Sequence, residues 1–196
     1  MRFRSCKTVI LLAVVLLASF LGVFPVHPQI NNTLNIGLFK LGFPNIFQIV
    51  PHDEMVEIFD SSANSAVYSG RASHIMVTLV SGKMRIFVNH KSLATSTHPL
   101  IFSPVGKSPR YAWIGPNRRN CRPYRGSLKV CINGSGLQAI NVLPCEEYLR
   151  GVVPSEIGHK APHAAFEAQA IAARTYAYRQ KTRHAAEGFD LCDSTH

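Results

Sequence analysis

The sequence predicts an α+β domain, with a β-rich N-terminal part followed by an alanine-rich helix. Two observations carry this. Between Asn35 and Leu143 the chain is a succession of short apolar runs bounded by turn-forming residues, which is how half-buried strands read. From His163 it has no Gly or Pro until Gly188, and Ala, Glu, Gln and Arg dominate, a composition that favours helix. Strands first and a helix afterwards is the α+β order. At 196 residues, one domain plus a targeting segment is the expectation from size.

The elements follow in chain order. Residues 1–26 read as a targeting segment: MRFRSCK precedes the apolar run Thr8 to Phe24. A positive start and an apolar core fit a secretory signal or an uncleaved anchor. Bulky Val23-Phe24-Pro25-Val26 offers no small-x-small cleavage site and favours the anchor. Arg2, Arg4 and Lys7 place the N-terminus on the cytoplasmic side. The rest is expected to be exported, either inner-membrane-anchored or periplasmic (extracytoplasmic). Cys6 precedes the run, so it is not the lipid-bearing cysteine of a processed lipoprotein.

Residues 27–34 read as a polar linker, and the folded domain is expected over residues 35–196. Its strand candidates are Asn35–Leu41, Phe47–Val50, Val56–Phe59, Ile75–Val80, Met84–Val88, Arg110–Ile114, Gly126–Ile132 and Leu137–Leu143. Ser81-Gly82-Lys83 suits a hairpin turn, and Gly134-Ser135-Gly136 is a second turn. Thr95–Pro109, rich in Ser, Thr and Pro, reads as an irregular connection.

Chemistry concentrates in Glu146–Gln180. Val152 and Val153 form a short apolar run that stops at Pro154, and Glu156 is expected in a loop that this proline stiffens. Pro162 suits a helix start. Phe166, Ala170, Ala173 and Ala177 then form one buried stripe. Arg174, Arg179, Lys181 and Arg183 suit the C-terminal end of the helix dipole.

A formal charge of +10, from 21 Lys+Arg against 11 Asp+Glu, favours anionic partners such as anionic lipid or cell-wall polymer. No helix-turn-helix pattern, zinc-finger spacing or RNP-type aromatic motif is present, so nucleic acid is not an expected partner. Cys121, Cys131, Cys145 and Cys192 allow three pairings in an oxidising compartment, and unpaired buried thiols compete with them.

Three ordered blocks, YRGSLKV (124–130), INVLPCEEYLRGVVPSEI (140–157) and FEAQAIAARTYAYR (166–179), resemble the SpoIID/LytB domain, the stage II sporulation protein D and amidase-enhancer family. The resemblance runs from about Asn35 to the end of the chain and is strongest from Tyr124. It implies a peptidoglycan-active cell-wall protein, either a lytic transglycosylase or a relative that assists an N-acetylmuramoyl-L-alanine amidase. The family's PSE-type glutamate falls on Glu156 as the implied catalytic acid, and its glutamine and arginine fall on Gln169 and Arg174. Cys145 stands where the family block usually has an aliphatic residue, which points to plain burial. The resemblance also implies that the domain continues beyond His196, and that some relatives bind zinc near this point. No cofactor is required by the reaction; zinc at His184 and Cys192 is an option, and the metal ligands stay unknown.

Protonating a glycosidic oxygen needs a carboxylic acid in a partly dry pocket. Ordinary glycosidases add a second carboxylate; a lytic transglycosylase manages with one, because a hydroxyl of the sugar itself attacks. In that scheme Glu156 is acid and then base, Arg174 stabilises charge or orients Glu156, Gln169 holds an acetamido group, and Tyr148 stacks on a sugar. In the competing reading Glu156 caps the helix and Arg174 pairs with Glu167. Glu146 and Glu147 read as a solvated corner. Expected partners are therefore peptidoglycan glycan strands, a cell-wall amidase, and the membrane through the N-terminal segment.

Overall fold

The computed structural model describes residues 32–38, 42–52, 55–63, 65–106 and 111–193. The apolar run at residues 8–24 lies outside them. Among the described residues no helix is long and apolar enough to cross a membrane.

Alternation builds two sheets. In β1 (Thr33–Gly37), β2 (Ile46–Pro51), β3 (Met55–Asp60) and β4 (Ala66–Arg71), the inward residues of the first three include Leu34, Ile36, Phe47, Ile49, Val56 and Ile58. Then follow β5 (Ile75–Val80), β6 (Lys83–Val88), β7 (Lys91–Ser96), β8 (Leu100–Pro104), β9 (Tyr111–Gly115), β10 (Arg122–Arg125), β11 (Ser127–Asn133) and β12 (Gly136–Pro144). After two helices, β13 (Leu191–Cys192) closes the order. One sheet has seven strands, β13-β1-β12-β11-β8-β3-β4, and the other six, β10-β9-β2-β5-β6-β7. Inward side chains from both sheets form one hydrophobic core. The α+β expectation holds, with β1 beginning at Thr33 inside the stretch read as linker.

The hairpin expected at Ser81-Gly82 is present, with φ of 50° and 74°, the conformation that two-residue hairpin loops favour. The stretch expected to be irregular over Thr95–Pro109 contains a strand. This is β8, which lies between β11 and β3 in the centre of the larger sheet. Leu100, Phe102 and Pro104 point inward there, so alternation prevails over the Ser and Pro content.

The helices are α1 (Cys145–Ile157) and α2 (His163–Arg179). The stripe on α2 is as read: Ala177 is buried, and Phe166, Ala170 and Ala173 pack against the core. Helix α1 corrects the loop expected around Glu156. Cys145, Leu149 and Val153, four residues apart, are buried on one side, and Glu146 and Glu147 sit in the first turn, where the helix dipole favours acids. Pro154 lies inside this helix. It falls close enough to the C-terminal end that the backbone hydrogen bond it forgoes does not stop the helix before Ile157.

The C-terminal segment is tied to β1. Leu191 and Cys192 pair in parallel with Ile36 and Gly37. Asp190 Oδ2 accepts from the backbone N–H of Asn35 at 2.8 Å and from its side-chain amide at 3.2 Å. This places Cys192 and Asp193 beside the start of the domain.

Candidate functional site

Helix α1 is two-faced. Opposite the buried stripe, Tyr148, Gly151, Val152, Ser155 and Glu156 recur at helical spacing and line a cleft of about 440 Å³. The facing wall comes from β1, β12, β10 and the residues around β13: Asn141, Tyr124, Arg125, Cys192 and Asp193 among them. Glu156, exposed on the last turn of α1, thus looks into a concavity with a half-buried floor.

Two phenols serve this cleft. Burial pushes Tyr124 up to about 12, with the negative charge of Asp193 adding and Arg122 opposing. Burial also raises Tyr148, helped by neighbours that include Glu156. Both are therefore neutral O–H donors at neutral pH. Arg125 Nη1 lies 3.4 Å from Glu147 Oε2, whose other oxygen accepts from Arg150 at 2.7 Å. Glu147 is thereby held by two guanidinium groups. It is not merely a solvated corner.

The wall's position is fixed by Gly126. Asn141 Nδ2 donates to the carbonyls on either side of it, Arg125 O at 2.7 Å and Ser127 O at 3.1 Å. Gly126 itself has φ +77°, and an added Cβ would lie 2.6 Å from Val142 O. Gly126→Ala is expected to destabilise the domain by about 2–3 kcal/mol, since left-handed strain and a backbone clash add. A urea unfolding midpoint checks this.

Arg174 lies elsewhere. Its Nε and Nη2 donate to the two oxygens of Glu146, both at 2.8 Å, a bidentate fork joining α2 to the first turn of α1. It pairs with neither Glu156 nor Glu167. Glu167 lies 3.5 Å from His163 Nδ1 instead. Neither Arg174 nor Gln169 lines the cleft, whereas Glu156 and Tyr148 both do. Glu156 does not cap the following helix either, because Pro162 occupies that position without a side-chain cap.

Hydrogen bonding from Arg174 holds the Glu146 carboxyl below its ordinary range. A depressed folded value contributes stability that is present above the ordinary carboxylate range and lost as pH falls through it. The wild type is expected to lose more of its unfolding midpoint than Glu146→Gln between neutral pH and about pH 3.

His184 Nδ1 lies 2.7 Å from Glu187 Oε1, and its ring stacks on Phe189 at 5.0 Å. Among the described residues no group of three or more His, Cys, Asp or Glu is arranged to hold a metal. Among the described residues Cys121, Cys131, Cys145 and Cys192 form no disulfide. Cys145 is fully buried, as its place in the block implied.

Residues 133–196 match the family model described as SpoIID, stage II sporulation protein. This segment belongs to the SpoIID family. It contains α1, α2 and β13, hence Glu156, Tyr148, Cys192 and Asp193. The SpoIID family implies a cell-wall-related role. An uncharacterized protein of Brachyspira hyodysenteriae is 37% identical over 73 residues, which are 37% of this chain and 20% of the relative. The chain thus spans about a fifth of the length of the curated relative it matches. No solved structure matches.

Sequence reasoning named no role for Tyr124, Arg125, Asn141, Glu147 or Asp193. Tyr124 and Arg125 head a block already noted, but nothing local reveals that β10 and β13 bring them to one cleft.

Proposed function

We propose that this SpoIID segment acts on peptidoglycan glycan strands as a lytic transglycosylase, with Glu156 as the acid–base. The observation that carries the reading is the shared cleft of Glu156, Tyr148 and Tyr124. Glu156 in its acid form gives its proton to the glycosidic oxygen, and the bond from that oxygen to the anomeric carbon breaks. The carboxylate then takes the proton of a hydroxyl on the same sugar, whose oxygen closes on the anomeric carbon. The product ends in an anhydro ring, no water is consumed, and Glu156 is again protonated. Tyr124 and Tyr148 donate hydrogen bonds to the sugar. Arg174 orders the helix pair through Glu146, and Gln169 stands outside the cleft. The protein would work on the outer side of the membrane, held there by its N-terminal segment.

A second reading, an amidase enhancer, is favoured by the exposed face of α2, where Ile171 is 63% exposed. Such a face suits a protein partner. The test is to incubate purified glycan strands with the full chain and examine their ends by mass spectrometry. Anhydro ends support the cleavage. Intact strands, together with faster amidase release of stem peptides when the chain is added, support the enhancer and overturn the enzyme.

A further inference from the structure

The outer face of the six-stranded sheet carries an exposed aromatic residue and two hollows away from the cleft. In β9, Ala112 and Ile114 are buried, and Trp113 between them is 40% exposed. It stands opposite Val50 in the ladder. Two residues along β2, Gln48 stands opposite Met76. Above Gln48 and Met76 rise two loops that border an open cavity of about 980 Å³. One is the β6–β7 turn, where His90 sits at φ 68°, a conformation that suits glycine better than histidine. The other is the short 3-10 turn Arg118–Asn120, capped by the side chain of Asn117. The rings of His74 and His90 stack with centroids 5.4 Å apart, and His74 Nε2 lies 3.2 Å from Gln48 Oε1. A smaller hollow of about 380 Å³, lined by Trp113, Val50, Ser73 and Cys121, involves the residues next to these.

The charge of this sheet has one sign. The charged residues of its six strands are Lys83, Arg85, Lys91, Arg122 and Arg125, and none is acidic. In the cavity itself Arg119 is the fixed cation, alongside the amides of Gln48, Asn117 and Asn120.

We propose that this face is a second, non-catalytic binding surface for a carboxylate-bearing, N-acetylated glycan. An exposed indole offers a flat apolar ring to the C–H face of a sugar. Side-chain amides both donate and accept, as hydroxyl and acetamido groups require. Arg119 matches a carboxylate that recurs along the polymer. Nucleic acid is the poorer fit, because it calls for many cations following a phosphate backbone, and amides border this cavity instead. The choice of a wall-type glycan rests on the reading above; the surface itself does not depend on Glu156 cleaving anything.

Trp113 is the only tryptophan of the chain, so its emission reports on the face directly. The full chain carrying Glu156→Gln, so that ligand is not consumed, is titrated with muramic-acid-containing oligosaccharides, with chito-oligosaccharides of equal length, and with a single-stranded oligonucleotide. A saturable change is expected with the first, weaker with the second. Arg119→Ala should weaken the first by about tenfold, the loss of one charge-assisted contact, and Gln48→Ala should weaken both sugars. Because Pro123 lines the cleft and pairs with Trp113, a response unchanged by both substitutions would assign it to the cleft and overturn the proposal. No response to either sugar, or a stronger one to the oligonucleotide, also overturns it. Binding retained by a wild-type chain that yields no anhydro ends sinks the cleavage reading and leaves this surface standing.

Discussion

Replacing Glu156 with Gln should remove anhydro-ended products while the fold persists. Gln keeps the size and hydrogen-bonding reach of Glu but has no proton to give. General acid catalysis by a positioned side chain contributes on the order of 10²–10⁴-fold, and Glu156 serves both half-steps in the proposed scheme, so turnover should fall towards the upper end. Stability should stay within about 0.5 kcal/mol of the wild type, because the Glu156 side chain is exposed on the last turn of α1 and takes no part in the ion pairs that join the helices. Product analysis together with an unfolding curve checks both halves. A variant that still releases anhydro ends at the wild-type rate removes Glu156 from the mechanism.

The largest stability effect is expected at Phe102. This side chain is 1% exposed in β8 and pairs with Leu128 of β11 on one side and Ile58 of β3 on the other. Phe102→Ala deletes the ring from the middle of the larger sheet, where neighbours on both flanks are fixed by ladder hydrogen bonds and cannot close the gap. Such truncations cost about 3–5 kcal/mol, against a total stability of about 5–15 kcal/mol for a typical domain. The denaturant midpoint should drop sharply with the slope little changed. A loss below about 1 kcal/mol would mean that the core relaxes around the cavity.

Strand content was legible wherever alternation was clean. β5, β6, β11 and β12 lie close to where their apolar runs put them, because the period of two is a local property. β8 was hidden under Ser and Pro residues that fall at its ends and outward positions, and only the burial of Leu100 and Phe102 reveals it. Helix α1 was misread because Val152 and Val153 look strand-like and Pro154 looks like a stop, whereas the deciding spacing, Cys145–Leu149–Val153, begins before the apolar run. Glu156 and Tyr148, named from the sequence, both line the cleft. Arg174 lies outside it, and its partner Glu146 is 28 positions away; helix-helix pairing leaves no trace in a single sequence. Tyr124, Arg125 and Asp193 reach the cleft through strand pairing for the same reason.

The arrangement of β1 has a consequence for how the protein is made. Its ladder partners are β12 and β13, and the hydrogen bond from Asn35 to Asp190 spans 155 positions. A nascent chain therefore carries β1 without a ladder partner until β12 has been synthesised, and with one edge open until Leu191 and Cys192 follow. Closure over so long a loop is slow, and an unpaired apolar edge invites association with other chains while it waits. Completion of this edge is thus a late step, and a holding chaperone that shields the first strand would raise the yield more than one acting on the helices.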